Sequence, residues 1–500
     1  MKITSWFYRI FPIAMIICLS ACGNEDTEGS SDPSTPSNSE IEPGWGAGKT
    51  DVWDGSSDIS WYDPTLNLFH LYSAAQLAGF AELVNAGTNF RNKTVTLEVN
   101  VKMNERISFD EDHNVINPGS LHVWTPIGNG YPNIFNGTFD GKKHIISGMY
   151  INDKQIYAVG LFSQIGKGNE NKTGSSIVKN IGIVNSFIEG NEYAGSVVGY
   201  LSDNYSPVWK SLVSDCYSDC VVKGKTAGGI VGIATNYSGE CKIEGCFNKG
   251  YIYGKESAGG IVGNGSTIEK SYNKGAVNGK TYSGGIAGTS RSVTDCYNLG
   301  TITGNKYGAG ISGCASHQND EPAILFCYNK GLIKGTNIKG TNILCGIASI
   351  YYGDIVSCYS YNDFEVILPT SYPVKICGIA GIGSEGFGMP SYCVYNSYSI
   401  VSCNTYDYKE VEGHAIKLTG TYANCYSKYH ANAKWNNNGW CAATFKDNSG
   451  VLSLWSWGNP GSEQGIPNGC ETLIEALNVY NPGRWKIDAN ENDGYPVLAR

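Results

Sequence analysis

From about residue 190 to residue 381 one short pattern of apolar and polar positions recurs along the chain, in two alternating signatures. The first is Gly-Gly-Ile-x-Gly, seen as AGSVVG at 194–199, GGIVG at 228–232 and 259–263, GGIAG at 284–288 and GAGISG at 308–313, and later as CGIAS at 345–349 and CGIAG at 377–381. The second places a β-branched residue three positions before Cys-Tyr-Asn: Val213 before Cys216-Tyr217-Ser218, Ile243 before Cys246-Phe247-Asn248, and Ile268 before Ser271-Tyr272-Asn273. Val293 before Cys296-Tyr297-Asn298, Ile324 before Cys327-Tyr328-Asn329, and Ile355 before Cys358-Tyr359-Ser360 continue the series. The shortest full repeat is 25 residues, and longer copies gain residues at two defined places, as loops leaving a constant framework do. Short β-branched runs between glycines suit one coil of a parallel β-solenoid, with about three short strands per coil stacked at about 4.8 Å. Helical repeats need a 3.6-residue period and few glycines, and neither is present. The fold class expected is all-β: a parallel, β-helix-like solenoid of glycine-rich repeats of about 25–36 residues, with small α-containing caps at both ends.

The flanks read differently. Ser73-Ala74-Ala75-Gln76 is a capping-box start, Leu77, Phe80, Leu83 and Val84 form one apolar face, and Gly87 is the stop, so one amphipathic helix is expected. Val95-Leu97-Val99-Val101 alternates as a single strand, and TPIG (125–128) and FNGTFDGKKHIISGMYI (135–151) follow. Near the other end, Glu471 to Tyr480 reads as a short helix with Leu473, Ile474 and Leu477 inward, before Trp485 and a closing segment at 488–498. Asp488, Asn490 and Asn492 have calcium-loop spacing, but the glycine comes one place late at Gly494 and Ala499 stands where a carboxylate ligand belongs. A closing turn is expected there, with no metal.

Within the repeats, Asn248/Gly250, Asn273/Gly275, Asn298/Gly300 and Asn329/Gly331 form an Asn-x-Gly series, in which the asparagines are expected to stack and the glycine to turn the chain. Sixty-four glycines in 500 residues serve these turns and close backbone contacts. Of the 17 cysteines, fifteen lie beyond Cys22. Most fall at one repeat position and are read as small buried apolar residues. The spacing of Cys216, Cys220, Cys241 and Cys246 fits no standard zinc pattern.

The amino terminus is an export signal. Lys2 and Arg9 precede an apolar stretch from Phe11 to Leu19 that is too short to span a bilayer. Leu19-Ser20-Ala21-Cys22 resembles a bacterial lipobox, which implies lipidation of Cys22 and a membrane partner for that lipid. Gly23 to about Pro43 is rich in Ser, Thr, Pro, Glu and Asp, and reads as a flexible tether. With Gly23 and not Asp after the cysteine, the start is similar to lipoproteins of the Bacteroidetes type, which implies the outer membrane and exposure at the cell surface. The formal net charge of −9 argues against nucleic acid as a partner.

Catalytic signatures are missing from the sequence. None of the seven histidines (His70, His113, His122, His144, His317, His414 and His430) belongs to an HExxH, and no GxSxG elbow or phosphate loop is present. No catalytic residue and no cofactor are expected, although β-helical polysaccharide lyases and hydrolases assemble carboxylates in space without a motif. Two features are candidates for ligand contact. One is the aromatic row Tyr217, Phe247, Tyr272, Tyr297, Tyr328 and Tyr359, whose stacking is itself stabilising. The other is Trp435, Trp440, Trp455 and Trp457 among Asn, Gly and Ser near the carboxyl end, a composition that suits carbohydrate and also suits a buried cap. The His317-Gln318-Asn319-Asp320 stretch is an insertion in a longer repeat, read as a solvated loop.

The repeats resemble the GLUG motif, a glycine-rich repeat of bacterial surface proteins that include adhesin-like Bacteroidetes lipoproteins, and that also accompanies immunoglobulin-A-cleaving peptidases. The match covers roughly residues 157–381 and departs from the motif at Ser196 and at Cys345 and Cys377, which precede glycine. The segments at 73–151 and 471–498 are similar to the family's entry and terminal modules. The resemblance implies a non-enzymatic surface protein that binds a glycan or an extracellular protein, with a β-helix carbohydrate-active enzyme or a purely structural envelope protein as alternatives. The organisation expected is a signal peptide at 1–21, a tether at 22–50, an amino-terminal capping module at 51–150, the solenoid at 151–430 and a carboxyl-terminal capping module at 431–500.

Overall fold

The computed structural model describes residues 41–383 except 167–173, 204–208, 236–239, 266, 317–321, 337–341 and 367–373. Beyond them it describes 394–395, 397–405, 411–413, 422–423, 426–429, 445–447, 450–452, 473–478, 482–488 and 495–499. The lipidation candidate Cys22 and the candidate ligand residues Trp435, Trp440, Trp455 and Trp457 lie outside the described residues, as does the loop at 317–320.

The repeats form a parallel β-solenoid. Equivalent strands of successive coils pair in register: Phe247 with Tyr272, Tyr272 with Tyr297, and Tyr297 with Tyr328 on one ladder, and Val262 with Ala287 and Ala287 with Ser312 on another. Each coil carries five short strands where three were expected. Between Tyr272 and Thr294 they are Tyr272–Asn273, Val277–Gly279, Tyr282–Gly284, Ala287–Ser290 and Ser292–Thr294. Each run is too short to show a period of two, which is why the sequence pattern merges neighbouring runs. Val277, Ile286, Val293 and Cys296 point inward and are fully buried, and the same positions of every coil build one continuous core.

Two rows of polar side chains hold the coils in register from inside. Asn248, Asn273, Asn298 and Asn329 are all buried, and the amide of each donates to the next at 2.8 Å. Each carboxamide oxygen also accepts from the amide of the glycine two residues on, at 3.1 to 3.2 Å. A chain of self-complementary amides satisfies every buried donor only when the coils align, so it sets the stacking register. The glycine of Asn-x-Gly has a different reason from the one expected. None of Gly250, Gly275, Gly300 or Gly331 has a positive φ, and a Cβ on Gly275, Gly300 or Gly331 would overlap the carbonyl oxygen of the matching glycine one coil earlier. Close approach of coils, not turn conformation, excludes side chains there.

The left-handed corner lies elsewhere. Asp215, Gly245, Lys270, Asp295, Phe326 and Ser357, each immediately before the Cys position, have φ between 49° and 64°. The next residue stabilises this corner. The thiols of Cys216, Cys246, Cys296, Cys327 and Cys358 and the hydroxyl of Ser271 donate to the carbonyl two residues back, at 2.8 to 3.3 Å. In return Cys246 N donates to Ser271 Oγ at 3.1 Å, and Ser271 N to Cys296 Sγ at 3.4 Å. These cysteines are buried in the apolar core as expected, and they act in addition as weak donors and acceptors, which is why serine substitutes at 271. Cys216, Cys220, Cys241, Cys246, Cys296, Cys314, Cys327, Cys345, Cys358 and Cys377 are free thiols.

The ladders run unbroken across residue 150. Thr138–Ser147 pairs in parallel with Gly174–Gly190 on one side and with Thr94–Leu97 and Asn100–Lys102 on the other. The single strand expected over 95–101 is thus two, because the chain turns a coil corner at Glu98 and Val99, and Val95, Leu97 and Val101 still face the core. Helix α1, Ala74–Asn85, begins as expected: Ser73 Oγ accepts from Gln76 N at 3.1 Å, and the Gln76 side chain reaches back to Tyr72 N. Its buried Leu77 and Phe80 pack into a ring cluster with Phe90, Phe135 and Phe139 that closes the amino-terminal end of the core. A solenoid end without such cover exposes apolar surface. Residues 41–50, expected within the tether, pack against the coils instead. Trp45 packs edge-on against Tyr217 at 4.9 Å, Glu42 pairs with Lys249 at 2.6 Å, and Thr50–Val52 is the first strand.

Helix α2, Leu473–Asn478, and the antiparallel pair Trp485–Ile487 and Pro496–Leu498 form a small module against the coils. Leu477, Trp485, Val497 and Leu498 pack with Phe326, Tyr328 and Tyr359; Arg484 pairs with Asp295, and the Tyr359 hydroxyl donates to the Pro496 carbonyl.

Candidate functional site

The aromatic row is present and is structural. Successive rings from Tyr217 to Tyr359 are 4.8 to 5.2 Å apart between centroids and within 6° of parallel. Their faces are therefore occupied by one another, and no face is left for a sugar. Trp45 covers the first ring and Trp485 meets the last two edge-on.

A groove does lie on another flank, where an insertion in the amino-terminal part meets the repeats. The segment 104–121 is an arm folded along four coils. Asn104 anchors its base, its amide donating to the carbonyls of His122 and Gly148 at 2.9 and 2.8 Å. Ile107, Phe109, Val115 and Leu121 then cover the outward apolar row Tyr150, Phe187, Val221 and Tyr251, residues that pair coil to coil. The tip is a tight turn. Asp110 accepts from the amides of Asp112 and Asn114 at 3.0 and 2.7 Å, and these bonds hold its carboxyl below the usual carboxylate range. His113 adopts φ 57° and lays its ring flat on Tyr251, 4.0 Å between centroids. Lys223 ties the tip to the coils, donating to the Asp112 carbonyl at 2.9 Å and to Asn114 Oδ1 at 2.8 Å.

Beside this tip is a cavity of about 380 Å³ lined by Asp112, Asn114, Glu189, Lys223, Tyr251, Tyr253, Lys255 and Asn278. Its floor is one outward row of the solenoid: Glu189, Lys223, Tyr253 and Asn278 pair in order across successive coils. The floor therefore spans three inter-coil steps, about 14 Å. Burial lowers the pKa of His113, helped by the charge of Lys223 and opposed by Asp110 and Asp112. Burial also pulls the Lys223 ammonium down, against the pull of Glu189, Asp110 and Asp112. Tyr251 is raised by burial, an effect its hydrogen bond with Asn278 opposes. The result is a polar groove with amide and phenol groups, two carboxylates and two ammonium groups, the composition of a site for a polar ligand. Among the described residues no group of three or more His, Cys, Asp or Glu is placed to hold a metal ion.

Sequence reasoning had singled out the tryptophans at 435–457 and missed this groove. The outward row was present at a fixed offset in each repeat, but its partner is an insertion more than 100 residues away.

No family model and no curated protein matches the chain. Among solved structures, a Bacteroides ovatus protein provisionally assigned as an immunoglobulin A1 protease is similar, at 17% identity over 86% of this chain and 92% of that one, with a TM-score of 0.33. A likeness of that depth carries nothing about activity or ligand.

Proposed function

We propose that this chain is an exported GLUG-type surface protein, lipid-anchored through Cys22, that binds an extracellular glycan in the groove at the tip of the 104–121 arm. The observation that supports binding is the groove itself: a preformed polar cavity on a rigid scaffold, walled by an insertion and floored by side chains repeated coil after coil. Tyr253 and Asn278 supply a ring and an amide of the kind that hold sugar hydroxyls and C–H faces. Anchoring rests on the Leu19-Ser20-Ala21-Cys22 tetrad.

Two measurements test this reading. Protease shaving of intact cells, against lysed cells, removes the solenoid if it stands outside, and Cys22→Ser releases it from the membrane fraction. Purified protein is then titrated with a panel of extracellular glycans, with Tyr253→Ala and Asn278→Ala as variants. Binding lost in both variants supports the groove. Protection of the solenoid until lysis, or glycan binding untouched by either substitution, overturns the reading.

A further inference from the structure

The groove opens at one end onto a line of lysines. Beyond Asn278 the floor row continues through Thr303 to Lys334, one residue per coil in register. The floor strands Val277–Gly279 and Ile302–Gly304 end on a glycine in register with Gly254 of the longer strand Tyr251–Gly259, and the chain then turns a corner. The corner residues stack as the strands do: Lys280 N donates to the Gly254 carbonyl at 3.2 Å, and Asn305 N to the Gly279 carbonyl at 3.3 Å. This places Lys255, Lys280 and Asn305 one above another along the rim of the floor, with Lys306 on the neighbouring row that carries Thr281 and Glu256. All three lysines are exposed. Lys306 leans over the Tyr307 ring at 4.9 Å, and neither Lys255 nor Lys280 has an ion pair among the described residues. The nearest acid on this corner, Glu256, faces Lys225 at 3.8 Å.

We infer that the groove and this rim together bind a linear acidic polysaccharide lying along the solenoid axis, with its carboxylate or sulfate groups against Lys255, Lys280 and Lys306. This rests on the glycan-binding reading above and gives the ligand's charge, length and direction. Three cations within two inter-coil steps, about 10 Å, are a concentrated positive line on a chain whose net charge is −9. A discrete small anion needs only one such group, whereas lysines that recur along the axis, two in register and a third one position over, match a polymer with repeated charges. The floor beside it, Tyr253, Asn278 and Thr303, offers a ring, an amide and a hydroxyl to uncharged sugar groups. A nucleic acid fits less well, because single strands are held by a series of exposed aromatic faces as well as by cations, and this row has one tyrosine.

The test uses the full chain with polygalacturonate and heparin oligosaccharides of increasing length, neutral dextran of matched length, and single-stranded DNA as probes. Affinity for the acidic chains rises with length until the floor and rim are spanned, and falls with salt. Lys255→Gln/Lys280→Gln/Lys306→Gln weakens it by roughly tenfold, from three exposed charge contacts. Lys274→Gln, on a different row, leaves it unchanged. Dextran bound as tightly as polygalacturonate, or a triple variant that binds like the parent, overturns the acidic-chain inference and leaves the groove reading intact. DNA bound as tightly as the acidic glycans overturns the polysaccharide assignment. No binding of any glycan overturns both.

Discussion

Asn273→Ala removes the centre of the internal amide ladder. In the parent, Asn273 donates to Asn298 Oδ1 at 2.8 Å and to the Gly275 carbonyl at 2.9 Å, and accepts from Asn248 Nδ2 at 2.8 Å and from Gly275 N at 3.1 Å. All four bonds are out of reach of solvent, since Asn248, Asn273 and Asn298 have no exposed surface. Some of the partners keep a second bond. Asn248 still reaches the Gly250 carbonyl at 3.3 Å, Asn298 Oδ1 still accepts from Gly300 N at 3.2 Å, and Gly275 N has the Asn248 carbonyl at 3.3 Å. At about 1 kcal/mol for each net hydrogen bond, the loss is about 4 kcal/mol, large for a single substitution. A solenoid loses stability through neighbouring coils first, so a global denaturation midpoint is not a sufficient readout. Native-state hydrogen exchange is read instead at the amides of 248–250, 273–275 and 298–300, with the exposed neighbour Lys274→Ala as control. A drop in protection worth less than about 1 kcal/mol, or one no larger than the control's, would refute the view that this ladder sets the register.

Cys296→Ser is expected to fold with stability within about 1 kcal/mol of the parent, because serine already performs the same exchange of hydrogen bonds at 271. Cys296→Val, apolar and slightly larger, orphans the Ser271 amide and removes one of the two donors to the Thr294 carbonyl, and costs about 1–3 kcal/mol in urea unfolding; equal stability of the two variants contradicts the donor role. Burial pushes the Cys246 thiol well above 9.0 and Cys220 up to about 12, so iodoacetamide at pH 8 leaves both unmodified in the native protein and labels both after denaturation. Rapid native labelling of Cys246, read by mass spectrometry, runs against the packed interior described above. His113 has its pKa lowered from 6.5 by burial and by Lys223, so the unfolded or undocked arm binds more protons. Docking is therefore fully present above pH 6.5 and weakens as pH falls below it toward the folded value. The protection factors of amides in 107–115, taken relative to the intrinsic exchange rate at each pH, fall over that window in the parent and stay flat in His113→Gln.

The repeat period, the amino-terminal helix and the aromatic and asparagine rows were legible in the sequence because each is set by local chemistry copied from coil to coil. An interval of 25 residues that returns Tyr272 to Tyr297 puts like side chains on one ladder whatever the details of the corners. Ser73 and Gln76 mark a helix start without help from the rest of the chain. What only the tertiary structure decided are contacts between segments that the repeat does not relate. The left-handed corner that precedes each Cys position is filled by Asp, Gly, Lys, Phe or Ser, with no common sequence signal. The reason for glycine at 275 and 300 is a carbonyl one coil away, invisible along the chain. Trp45 on Tyr217, Arg484 on Asp295 and the arm that reaches Lys223 join stretches separated by more than 100 residues. Local hydrogen bonding and periodicity are properties of neighbours in sequence. The groove arises from an insertion laid across coils, and its composition follows from which coil the tip of the arm happens to reach.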